Sequence, residues 1–84
     1  MKEKLISEYV NRMNTNDVLK FALQNGITLS DDEVNIIFNY IKSDWHTIAF
    51  GNPRSILDDL KTKLNNTSYQ KIEALYVDFK NRYL

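Results

Sequence analysis

The decapeptide NGITLSDDEV constrains the fold of this chain more than any other segment. Gly26 suits the position just after a helix end, where the backbone takes a positive φ and a Cβ would clash. Ser30, followed three residues later by Glu33, has the pattern of a capping box at a helix start. Leu29 and Val34 stand at the positions of a hydrophobic staple. The segment therefore predicts that one helix ends at about residue 24 and another begins at residue 31.

Three acidic residues follow one another in this segment: Asp31, Asp32 and Glu33. In the first turn of a helix, carboxylates complement the positive end of the helix dipole. We therefore interpret the acidic cluster as a helix start, not as a metal or catalytic site.

Apolar residues recur with helical spacing through the rest of the chain, and no stretch alternates as a strand would. The expected helices cover 2–13, then 15–24 with Thr15 as the cap, then 31–43, then a helix starting at 52–53, and last a helix capped by Thr67 with Gln70. The third is apolar around most of its circumference, so we expect it to be central. We predict an all-α fold, a compact single-domain bundle of about five short helices over residues 1–84.

On the first predicted helix, the apolar face comprises Leu5, Ile6, Tyr9, Val10 and Met13. We expect this face to pack inward.

The composition excludes several classes of function. With no Cys and one His, the chain offers no zinc site and no disulfide, and no catalytic set accompanies His46. We predict no enzyme activity, no catalytic residues, no metal and no cofactor. Eleven basic residues balance eleven acidic ones, which argues against nucleic acid as the partner. Charged residues interrupt every apolar run, so we expect no membrane span and a cytoplasmic location.

The segment SDWHTIAFGNPR holds the only Trp, His and Pro of the chain. We expect the third helix to break near residues 43–44. A continuation to Ala49 is the alternative, because Trp45 and Ile48 keep the helical spacing. Trp45, His46 and Arg54 are candidate partner-binding residues, although a solvated surface role for His46 is the simpler interpretation.

Three tyrosines spaced by seven residues, Tyr69, Tyr76 and Tyr83, share one face of the last predicted helix. One interpretation is that Ile72, Leu75 and Phe79 face the core and the tyrosines flank it with hydrated hydroxyls. The other is a binding surface for a partner or a second copy of the chain, because Tyr is enriched at interfaces. All three tyrosines are therefore candidate partner-binding residues.

The segments DVLKFALQNGITLSDDEVNIIFNYIK, SILDDLKTKLNNTS and IEALYVDFKNRYL, in this order, resemble a family of small proteins of Gram-positive bacteria, the YqfT-like domain of unknown function. The likeness covers residues 14–83 and consists of turn chemistry and apolar spacing. The chain departs from it after the third helix, where Trp45 and His46 stand in place of the family's Gly and Asn. The resemblance implies a helical cytoplasmic protein and brings no activity, cofactor or binding residue.

Two hypotheses of function remain. The first is a non-enzymatic cytosolic module that binds another protein, not yet identified, or a second copy of itself. The second is a nucleic-acid accessory protein that uses a small basic and aromatic patch made of Lys42, Trp45, His46 and Arg54.

Overall fold

The computed structural model describes residues 2–83, the last of them by its backbone alone. It contains five helices: α1 (Lys2–Arg12), α2 (Thr15–Gln24), α3 (Asp31–Phe50), α4 (Arg54–Lys63) and α5 (Asn66–Tyr83). No strand occurs within residues 2–83. The predicted all-α bundle is confirmed.

The start of α3 has the predicted cap. The Ser30 hydroxyl accepts from the backbone N–H of Glu33 at 3.2 Å, and the Glu33 carboxylate accepts from the N–H of Ser30 at 2.9 Å. Leu29 and Val34 are both buried and belong to the same core cluster, as a hydrophobic staple requires.

The end of α2 is a Schellman motif around Gly26, which has φ +75°. The N–H of Ile27 donates to the carbonyl of Ala22 at 2.8 Å, and the N–H of Gly26 donates to that of Leu23 at 3.1 Å. The motif turns Ile27 into the core, where it is the most deeply buried large side chain of the described residues. The positive φ predicted for Gly26 is confirmed.

Two predicted caps are wrong. The cap of α2 is Asn14, whose side chain accepts from the N–H of Asp17 at 3.0 Å, and not Thr15. The start of α5 is capped by Asn65, whose side-chain oxygen accepts from the N–H of Thr67 at 2.9 Å. In both cases the helix already includes the threonine, because an asparagine just before it makes the capping bond.

The start of α4 lies one residue later than expected. Its first residue is Arg54, and Pro53 precedes it. The side chain of Asn52 accepts from the N–H of Arg54 at 3.1 Å, so it bonds the first turn of the helix from just outside it.

The core consists of two clusters that meet at Ile37 on α3 and Ile72 on α5. The first is centred on buried residues of α2, the α2–α3 connection and α3, namely Val18, Ala22, Ile27, Leu29 and Val34. The second is centred on three buried residues: Leu60 of α4, Leu64 just after α4, and Tyr69 of α5. Because α3 packs against α1, α2 and α4, the predicted central position of the third helix is confirmed.

Polar contacts join the α2–α3 connection to the start of α5. The second carboxylate oxygen of Glu33 accepts from the backbone N–H of Asn65 at 2.7 Å. The Ser68 hydroxyl donates to the carbonyl of Thr28 at 3.3 Å, and the Lys71 ammonium donates to that of Gly26 at 3.0 Å. Glu33 therefore has a second role, between helices, besides its capping bond.

The first helix buries less than predicted. Val10 is its only buried residue among those described, while Leu5 and Tyr9 are 67% and 62% exposed. The prediction that these two face inward is wrong. Because α1 packs chiefly on one neighbour, α3, only a narrow stripe of its apolar face is covered.

The third helix is bent at Asp44, which has φ −126° and ψ 20°. Helical structure resumes beyond it and ends at Phe50. The Ser43 hydroxyl donates to the carbonyl of Asn39 at 2.7 Å, a bond that often accompanies helix bends. The predicted break is present as a kink, and helical structure also continues to Phe50, one residue beyond the end at Ala49 that the alternative gave.

Candidate functional site

Three aromatic rings contact one another on the last turns of α3. The ring centroids of Trp45 and His46 lie 5.3 Å apart at 71°, and those of His46 and Phe50 lie 5.3 Å apart at 51°. Trp45 and Phe50 are 6.5 Å apart at 78°. These are the tilted and edge arrangements that aromatic pairs prefer. The rings form one aromatic cluster, with Trp45 half-buried and the other two exposed.

An open groove runs between this cluster and the start of α1. We call it the α1/α3 groove, and it is lined by Lys2, Glu3, Lys4, Ser7, Trp45 and Phe50. The kink at Asp44 precedes the part of α3 that provides both rings. The groove thus combines an apolar wall from α3 with a charged wall from α1.

One side-chain pair crosses from α1 to the aromatic cluster. The Nε2 atom of His46 lies 3.5 Å from a carboxylate oxygen of Glu3, and both side chains are mostly exposed. An exposed pair of this kind contributes about 0.5 kcal/mol or less. His46 is therefore held in the aromatic cluster mainly by its ring contacts with Trp45 and Phe50.

One cation of the predicted basic patch, Lys42, is bonded to backbone carbonyls. The Lys42 ammonium donates to the carbonyls of Val10 and Asn11 at 2.6 and 3.3 Å, so it neutralises the end of α1. Arg54 is exposed at the start of α4, while His46 faces the Glu3 carboxylate of α1. Because the Lys42 ammonium is already bonded to two carbonyls, it is less available to phosphates.

Two of the three tyrosines spaced by seven residues, Tyr69 and Tyr76, make hydrogen bonds within the bundle. Tyr69 is 5% exposed, and its hydroxyl donates to the Glu73 carboxylate at 2.8 Å. Burial, followed by this hydrogen bond, raises the pKa of Tyr69. Tyr76 is half-buried and donates to the carbonyl of Ile48 on α3 at 2.9 Å. Tyr69 is thus not accessible to a partner, and Tyr76 fixes α5 to α3; the side chain of Tyr83 lies outside the described part of the structure.

The apolar residues of α5 divide differently from the prediction. Ile72 and Leu75 are half-buried against the first core cluster, as expected. Phe79 is 42% exposed, so its predicted core position is wrong. Residues 77–82, in the last turns of α5, are all exposed.

A polar cluster that the sequence analysis did not identify joins α3 to α4. The Tyr40 hydroxyl donates to the Asp59 carboxylate, and the Lys63 ammonium lies 2.9 Å from the same carboxylate. The hydrogen bond from Tyr40 is the main cause that lowers the pKa of Asp59, and the same bond raises the pKa of Tyr40. The spacing of Asp59 and Lys63 by four residues was a visible signal, but Tyr40 is nineteen residues earlier. We interpret this cluster as a structural connection between helices.

Within residues 2–83, no group of three or more His, Cys, Asp or Glu side chains is placed to hold a metal ion. Within the same range, no helix has the length and apolarity needed to span a membrane.

The chain was also compared with known proteins. No protein-family model, no curated protein and no solved structure matches it.

Proposed function

We propose that this protein is a small, non-enzymatic helical module of the cytoplasm that acts by binding another protein. The binding surface in this proposal is the α1/α3 groove with its aromatic cluster. The membership suggested by the resemblance to the YqfT-like family stays a prediction, and it adds no residue to this surface.

One observation carries the proposal: Trp45, His46 and Phe50 are gathered in mutual contact at the surface and not in the core. Phe50 remains 37% exposed and the His46 side chain 61% exposed. Aromatic rings that are held rigid by their neighbours bind a partner at a low cost in conformational entropy. Single exposed apolar residues are ordinary on a protein surface, whereas aromatic residues in mutual contact at the surface are typical of a binding site.

The nucleic-acid hypothesis has less support. Of its four residues, Lys42 is already bonded to carbonyls in the last turn of α1. The chain has no excess of basic residues, and phosphate neutralisation supplies most nucleic-acid affinity.

Site-specific photo-crosslinking in the organism that encodes the chain tests the proposal. A photoreactive phenylalanine analogue would replace Phe50 in the groove and, as a matched control, Val77, an exposed apolar residue of α5. We expect a protein adduct at position 50 that is absent or much weaker at position 77. An adduct at twice the mass of the chain would identify a homodimer. Adducts of equal strength at both positions, or adducts with nucleic acid, would contradict the proposal.

A further inference from the structure

We propose that Asn25 is a modification site, at which the chain deamidates its own side-chain amide when the end of α2 opens. Asn25 is followed by Gly26, and both residues are exposed. Because glycine has no side chain to shield its N–H, asparagine loses its amide most readily when glycine follows it. This site lies at the α2–α3 connection and is independent of the function proposed for the α1/α3 groove.

The reaction needs only water besides the chain itself. The backbone nitrogen of Gly26 loses its proton and attacks the side-chain Cγ of Asn25, and the amide nitrogen leaves as ammonia. A five-membered succinimide ring results. Water then opens the ring at either of its two carbonyls, which leaves aspartate or isoaspartate at position 25. A neutral side chain is thereby exchanged for a carboxylate.

The folded backbone holds the two reacting atoms apart. The ψ of Asn25 is 17°, so the Gly26 nitrogen nearly eclipses the nitrogen of Asn25 and is turned away from its Cβ. Ring closure requires the Gly26 nitrogen on the same side as that Cβ. The chain must therefore rotate about the Cα–C bond of Asn25 before the amide can react.

Hydrogen bonds at the end of α2 oppose this rotation. The Gly26 N–H donates to the carbonyl of Leu23 at 3.1 Å, and the side-chain amide of Asn25 donates to the carbonyl of Phe21 at 2.9 Å. From α5, the Lys71 ammonium donates to the carbonyl of Gly26 at 3.0 Å. The rate of deamidation is thus the intrinsic rate multiplied by the fraction of molecules in which these bonds are open.

The product does not restore the same helix end. A carboxylate at position 25 has no N–H to donate to the carbonyl of Phe21, and it lies at the negative end of the α2 dipole. Isoaspartate also adds one methylene to the main chain, which shifts the N–H of Ile27 relative to the carbonyl of Ala22. Because Ile27 is the most deeply buried large side chain of the described residues, deamidation loosens the attachment of this connection to the core.

Peptide mapping of the full chain, incubated at neutral pH and physiological temperature, tests the site. Trypsin releases residues 21–42 as one peptide, in which Asn35 and Asn39 are exposed asparagines of α3 and serve as internal controls. We expect mass spectrometry to show conversion of Asn25 about tenfold or more faster than that of either control, because both controls lie within a helix. In guanidinium chloride, conversion of Asn25 should accelerate by about tenfold or more.

A matched pair of lysine variants tests the control of the reaction by the fold. Lys71→Met removes the donor to the Gly26 carbonyl and should accelerate conversion of Asn25 by about threefold in the native chain. Lys61→Met, at an exposed position of α4, should leave the rate unchanged. In guanidinium chloride both variants should react at the rate of the unchanged chain, because the bond from Lys71 is absent there.

The structural effect of the product is tested with Asn25→Asp, which supplies the aspartate directly. Amide hydrogen exchange at Gly26 and Ile27 should accelerate by about fivefold or more. Asn35→Asp, the same change at an exposed position of α3, should leave this exchange unchanged.

Three results would overturn the proposal. Conversion of Asn25 no faster than that of Asn35 and Asn39 would show that position 25 is not a modification site. Equal rates in the native and unfolded chain, or in Lys71→Met and Lys61→Met, would show that the fold does not control the reaction. Unchanged hydrogen exchange in Asn25→Asp would refute the loosening of the α2–α3 connection.

Discussion

Replacing Glu33 by alanine should destabilise the bundle more than the removal of any neighbouring carboxylate. One Glu33 oxygen accepts from the N–H of Ser30 at 2.9 Å and completes the cap of α3. The other accepts from the N–H of Asn65 at 2.7 Å, just before α5 begins. A single side chain therefore binds both helix starts, and Glu33→Ala removes the two bonds together.

The size of the effect follows from these bonds. Loss of the capping interaction costs about 1 kcal/mol. The bond to Asn65 adds about 0.5 kcal/mol, a low value for a charged acceptor because water can replace it at this partly exposed position. The sum of about 1.5 kcal/mol is roughly a third of the free energy of unfolding of about 5 kcal/mol that a domain of this size has.

The loss should depend on pH with a definite sign. The backbone hydrogen bond from Ser30 is the main cause that lowers the pKa of Glu33 below its ordinary value of 4.5, and that from Asn65 is the next. A lowered pKa in the folded state means that the stabilisation is present above the unfolded pKa and is lost as the pH falls through the folded one. The difference between the two proteins should thus be full at neutral pH and shrink on acidification below about pH 4.5.

Urea unfolding followed by circular dichroism measures the effect, with Asp32→Ala as the matched control. Asp32 is an exposed carboxylate in the same turn, so its removal affects only the helix dipole and should cost about 0.5 kcal/mol or less. At neutral pH, Glu33→Ala should lower the urea midpoint by about 1 M. Equal losses for both variants, or a difference that persists at the acid end, would refute the reasoning.

Three further predictions concern other contacts. Gly26→Ala places a Cβ on a residue with φ +75° and meets no atom within 4 Å. We expect the free energy of unfolding to fall by about 1 kcal/mol from backbone strain alone, seen as a lower Tm. An unchanged Tm would contradict this. Lys42→Met removes the donor to two carbonyls in the last turn of α1. Amide hydrogen exchange should therefore accelerate in α1 more than in α4. An equal change in both helices would contradict this. Tyr76→Phe loses the bond to the carbonyl of Ile48 and should cost about 1 kcal/mol in urea unfolding, whereas Tyr9→Phe, on an exposed ring, should cost nothing.

Signals confined to a few consecutive residues were readable from the sequence. The cap formed by Ser30 and Glu33 and the positive φ of Gly26 depend on backbone geometry within one turn, so the spacing of the residues was sufficient. The caps of α2 and α5 were misassigned because each threonine follows an asparagine that is also a good capping residue. A pattern of this kind fixes the turn but leaves an uncertainty of a residue or two in the helix start.

Contacts between distant segments were not readable. The bond from Glu33 to Asn65 and the pairing of Tyr40 with Asp59 join residues far apart in the chain, and no local pattern encodes them. The exposure of Leu5 and Tyr9 has the same origin. Periodicity identifies the apolar face of a helix, but the number of neighbours decides how much of that face is covered.

For the candidate site, the sequence indicated the segment but not its surroundings. The rarity of Trp45 and His46 pointed to the last part of α3, and the structure adds Phe50 to the same cluster. The opposite wall comes from α1, whose position next to this segment follows only from tertiary packing. Tyr69, which was also a candidate, is buried and bonded to Glu73.

Among the described residues, α1 is attached through the buried Val10, through Lys42 and through the exposed pair of Glu3 and His46, and this light attachment has a consequence for ligand affinity. Because α1 supplies one wall of the α1/α3 groove, the groove is complete only in molecules whose first helix is docked. The apparent dissociation constant of a ligand is then its intrinsic value divided by the docked fraction. By the same linkage, a bound ligand raises that fraction, so occupancy of the groove and ordering of the first helix would rise and fall together.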